Sequence, residues 1–70
     1  MNKYTVKFFY KKDEKLAGIV TGKSLEEIKD IVKKNIKKYL HKDVFVYFNG
    51  KLQHKSVAYK FRDEISKLGE

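Results

Sequence analysis

Asn49-Gly50 stands between two runs of alternating apolar residues, in the stretch from Val44 to Gln53, "VFVYFNGKLQ". Asn-Gly is the preferred pair for a two-residue type I′ turn, in which both residues take positive φ. Any fold of this chain is therefore expected to contain an antiparallel hairpin here. Val44, Val46 and Phe48 share one face of it, and Phe45 and Tyr47 the other. A two-residue loop sets Leu52 opposite Tyr47, on that second face.

The N-terminal residues predict a second hairpin. Tyr4, Val6, Phe8 and Tyr10 alternate with Lys3, Thr5, Lys7, Phe9 and Lys11. The period of two describes a strand with one apolar and one mostly basic face. Polar residues 11–15, "KKDEK", form the turn, and Leu16 to Thr21 the return strand. A three-residue loop places Leu16, Gly18 and Val20 beside Tyr10, Phe8 and Val6. A two-residue loop places Ala17 and Ile19 there instead. A slip of one residue flips every side chain, so both registers stay open.

Between the hairpins, residues 24–42 read as one amphipathic helix. Ser24 followed by Glu27 matches a capping box, in which the hydroxyl accepts from the Glu27 amide and the carboxylate from the Ser24 amide. Leu25, Ile28, Val32, Ile36, Tyr39 and Leu40 fall on one stripe. Lys33, Lys34, Lys37 and Lys38 fall opposite. After the second hairpin, a helix capped by Ser56 places Val57, Ala58, Phe61, Ile65 and Leu68 on a stripe and ends at Gly69. An alternating strand through Val57, Tyr59 and Phe61 is the weaker reading, because fewer apolar positions fit it.

The expected fold is α+β: one small domain over residues 1–70, an antiparallel sheet in β-hairpin–α–β-hairpin order, and a C-terminal helix. With no cysteine, no disulfide or cysteine-based zinc site can form. Neither a leader nor a membrane span is legible, and the absence of cysteine fits a cytoplasmic protein. A membrane-surface role for residues 24–42 would remove the stripe the sheet needs for its core.

Chemistry is poorly represented. His41 and His54 form no His-x-x-x-His pair, the pairing of His41 with Asp43 is a cheap coincidence, Ser24 and Ser56 suit helix caps, and no glycine-rich phosphate loop exists. No cofactor or metal is expected, and the reading is that the protein is not an enzyme. The formal net charge is +8, which points to anionic partners. Arg62 is the only arginine among seventeen basic residues, so recognition would rest on lysine point charges.

Two surfaces are candidates. Lys33, Lys34, Lys37 and Lys38 could track a phosphate backbone with little sequence choice, whether DNA or RNA. Phe9, Phe45 and Tyr47, with Lys7 and Lys11, could stack unpaired bases. The second surface has a competing expectation: coverage by Phe61, Ile65 and Leu68 of the C-terminal helix, or by a second copy of the chain in a homodimer. The leading functional expectation is a basic, non-catalytic nucleic-acid-binding module. The alternative is a protein-interaction or inhibitor domain, of the kind phage and mobile elements encode, engaging an acidic protein surface.

Overall fold

The computed structural model describes residues 2–69. The elements are β1 (Tyr4–Phe9), β2 (Leu16–Gly22), α1 (Leu25–Lys33), α2 (Ile36–Tyr39), β3 (Asp43–Phe48), β4 (Lys51–Leu52) and α3 (Lys55–Leu68). The strands form one antiparallel sheet in the order β2-β1-β3-β4. The expected α+β class and hairpin–helix–hairpin order are both observed, and the C-terminal segment is helix.

Asn49 and Gly50 take φ values of 50° and 84°, as a type I′ turn requires. The turn pairs Phe48 with Lys51 and Tyr47 with Leu52. The amide and side-chain oxygen of Asn49 both bond the backbone of Lys3, at 2.8 Å each, which ties this hairpin to the start of β1.

In the first hairpin, Val6 faces Val20 and Phe8 faces Gly18, so the register with Val20 on the apolar face is the observed one. A bulge then shifts the pairing so that Leu16 lies opposite Phe9, not Tyr10. Tyr10 leaves the sheet and is exposed, against the expectation that it joins Phe8 in the core. Tyr39 packs closely on Gly18. A Cβ there would sit 3.1 Å from the Tyr39 ring.

The segment 24–42 is two helices. Ser24 Oγ accepts from the Glu27 amide at 3.1 Å, as a cap should. The Glu27 carboxylate instead accepts from the amide of Lys23, at 3.3 Å. At the far end of α1, the amides of Lys34 and Asn35 reach back only three residues, to Ile31 and Val32. Asn35 then leaves helical geometry, with φ −143° and ψ 52°. An unbroken helix would stack Lys33 on Lys37 and Lys34 on Lys38, like-charge pairs that destabilise a helix. Asn35 also has low helix propensity because its side chain competes for backbone hydrogen bonds. Beyond the break Tyr39 still faces inward, and its ring lies 4.7 Å from Phe8.

Both helical layers lie on the same side of the sheet. Val6, Phe8, Val20, Val44 and Val46 are buried with Ile28, Val32 and Tyr39 from the first segment and with Ala58, Phe61 and Ile65 from α3. α1 packs over β2 and α3 over β3. Lys29 joins the two helices, contacting Glu26 at 2.6 Å and Glu64 of α3. The residue capping α3 is His54, whose Nδ1 accepts from the Ser56 amide at 3.1 Å, in place of the expected Ser56 cap.

Width explains why α3 comes to this side. Strands are spaced about 4.8 Å apart, so four span roughly 14 Å between outer axes. One helix covers about 10 Å. Had α3 gone to the other face, Val44 and Val46 would have lost their cover and Phe8 its contact with Phe61. The expected coverage of the second face by Phe61, Ile65 and Leu68 is thus not what occurs. Phe61 and Ile65 are buried behind the sheet, and Leu68 is exposed.

Candidate nucleic-acid interface

The sheet face opposite the helices is bare. Alternation places Thr5, Lys7 and Phe9 of β1 on it, with Phe45 and Tyr47 of β3. Cross-strand pairing aligns Thr5 with Tyr47, Lys7 with Phe45 and Phe9 with Asp43. Phe9 and Phe45 meet edge to face, with ring centroids 5.4 Å apart. This is a favoured geometry for an aromatic pair. Lys7 extends over the Tyr47 ring, its Nζ 4.8 Å from the centroid. Phe45 remains 42% exposed, although it lies on an inner strand of the sheet.

The apolar area continues outward. Ile19 of β2 lies opposite Lys7, Leu16 opposite Phe9, and Leu52 of β4 opposite Tyr47. All three are exposed. A shallow hollow on this face is lined by Phe9, Glu14, Asp43, Phe45, Tyr47 and Leu52.

Of the residues singled out from sequence, the fold brings Phe9, Phe45, Tyr47 and Lys7 together. Lys11 sits in the β1–β2 turn, just past Phe9, and is exposed. Lys33, Lys34, Lys37 and Lys38 are exposed too, but they belong to the helical layer behind the sheet and lie on either side of the α1–α2 break. They form no single helical face. Lys38 leans on the Tyr39 ring, 5.6 Å from its centroid.

Sequence reasoning missed three groups at the end of the sheet where β1 finishes and β3 begins. Lys42 lies over the exposed Tyr10 ring at 5.2 Å and donates to the Leu40 carbonyl at 3.1 Å. Glu14 is held in a left-handed conformation, φ 59°, with its amide bonded to the Tyr10 carbonyl at 2.9 Å. Asp43 opens β3. Lys42 and Glu14 lie in loops, which carry no periodicity, whereas Asp43 stands two residues before Phe45 and shares its face by alternation.

Among the described residues no cluster of His, Asp or Glu is arranged to hold a metal ion. His54 serves as the α3 cap and His41 is exposed. No helix of the described residues is long and apolar enough to cross a membrane. No protein family, curated protein or solved structure matches the chain.

Proposed function

We propose that this protein binds unpaired nucleic acid, with bases stacked on Phe9, Phe45 and Tyr47 and phosphates held by Lys7, Lys11 and neighbouring lysines. The observation that carries this reading is the bare sheet face. A chain of this size gains by burying three large aromatic groups, yet all three helices pack on the other side, leaving Phe45 exposed and Phe9 and Tyr47 half-buried. Aromatic side chains on the inner strands of a sheet, with helices behind, are a known platform for stacking unpaired bases. Each stacked base contributes roughly 1–3 kcal/mol, independent of its identity. The +8 charge adds a sequence-independent attraction to phosphate. Duplex would bind less well, because paired bases cannot reach the rings.

Fluorescence anisotropy with labelled ten-nucleotide single strands, DNA and RNA, at about 50 mM salt tests the proposal. Binding should weaken as salt rises, and the double variant Phe9→Thr/Phe45→Thr should lose at least tenfold in affinity, at roughly 1.4 kcal/mol per tenfold. Threonine suits a strand, so the fold should persist. Wild-type protein that ignores both strands, or a variant that binds as well as wild type, would sink the idea.

A second reading draws on Leu16, Ile19 and Leu52. Exposed aliphatic groups around aromatics also suit a protein surface. An acidic protein partner, retained from nuclease-treated lysate and released by the same double variant, would favour it.

A further inference from the structure

The hollow on the aromatic face has a lining at odds with the chain's charge. The sequence holds seventeen basic and nine acidic residues, yet the hollow is lined by two carboxylates, Asp43 and Glu14, and by no lysine or arginine. Neither carboxylate has an ion-pair or hydrogen-bond partner for its side chain among the described residues. Phe9, Phe45 and Tyr47 supply the apolar walls. Phosphate is repelled from such a place. A planar group whose edge carries hydrogen-bond donors is attracted to it.

We propose that this hollow selects guanine. The inference rests on the nucleic-acid reading above and adds a preference to it. An ionised carboxylate only accepts hydrogen bonds, through two oxygens. Guanine offers two adjacent donors on its pairing edge, N1–H and the N2 amino group, and can meet both oxygens at once. Cytosine and adenine offer one amino donor beside a ring-nitrogen acceptor that the carboxylate repels. Uracil and thymine offer one N–H between two carbonyls. The order of preference is therefore guanine, then cytosine and adenine, then uracil. Asp43 is the principal reader, because its backbone is fixed in the sheet opposite Phe9. Glu14 is placed at the rim by the tight turn that its positive φ closes.

The test uses labelled ten-nucleotide uridine strands carrying one central guanosine, adenosine or cytidine, or none. A single guanosine keeps G-rich structures from forming. Anisotropy titrations should show the guanosine strand binding about tenfold tighter than plain uridine, the scale of one good bidentate base contact. Asp43→Asn should abolish that preference while leaving affinity for plain uridine equal or higher, because a negative charge is lost. Glu14→Gln should reduce the preference less. Thermal unfolding of both variants, matching wild type, separates lost recognition from lost fold. Equal binding of all four strands overturns guanine selection and leaves stacking intact. A guanine preference that survives Asp43→Asn/Glu14→Gln overturns the assigned readers. If no strand binds, the nucleic-acid reading falls and takes this inference with it.

Discussion

His41 holds a φ of 60° without being glycine. It follows Leu40, which ends α2, and the left-handed conformation lets the chain turn into β3. Such a conformation costs an ordinary residue about 1–2 kcal/mol, and glycine adopts it freely. The His41 side chain is exposed. His41→Gly should therefore stabilise the protein by roughly 0.5–1 kcal/mol after the larger chain entropy of glycine is counted, read as a higher urea midpoint. That the apolar stripe ends at Leu40, just before His41, was legible in the sequence. Its backbone angle was not, because histidine carries no signal for left-handed geometry as strong as that of Asn49-Gly50. Gly18 shows the same limit. Its weakness as a strand residue was readable, whereas its purpose, room for the Tyr39 ring, depended on a residue from another element.

At the scale of elements, the junction of α1 and α3 is where charge is organised. Lys29 is bonded by Glu26 and then Glu64, and these hydrogen bonds hold its ammonium above the usual lysine range. The hydrogen bond from Lys29 holds the Glu64 carboxyl below the usual carboxylate range. A carboxyl with a depressed folded pKa stabilises the fold above its unfolded value, near 4.3. That contribution is lost as pH falls through the lower folded value. The lysine contribution is complete below its unfolded value, near 10.4, and fades as pH rises above it. Glu64→Gln should lower stability at neutral pH by a few tenths of a kcal/mol, up to about 1, as befits a partly exposed pair. The gap between variant and wild type should close in acid, which urea midpoints measured across pH will show. Turn chemistry and stripe spacing made each hairpin and helix readable. The break at Lys34-Asn35 was overlooked because apolar spacing continues across it. The like-charged lysine pairs that oppose a continuous helix are visible in the sequence, but each costs only about 0.2–0.5 kcal/mol, too little to mark a break.

For the whole molecule, the adjacent phenylalanines Phe8 and Phe9 report how the layers stack. Phe8 is fully buried between the sheet and both helical segments, 6.4 Å from Phe61. Phe8→Ala should cost roughly 3–5 kcal/mol. A seventy-residue domain has about 4–10 kcal/mol in all, so this variant should be partly or wholly unfolded by circular dichroism at 37 °C. Phe45→Thr, on the open face, should stay within about 1 kcal/mol of wild type. Equal losses at the two sites would mean that the open face is covered. The sequence by itself determined the strands, the presence of both helical segments, the element order, both hairpins and the division of Phe8 from Phe9, because alternation and turn propensity act over a few neighbouring residues. It also assembled Phe9, Phe45, Tyr47 and Lys7 into one candidate surface. Only the tertiary structure decided that α3 lies beside α1, that Glu14 borders the aromatic face, and that the helix lysines stand behind the sheet. The stripe of Phe61 and Ile65 could have covered either side. The choice fell to the face whose width one helix cannot bury, a competition between surfaces that no local pattern records.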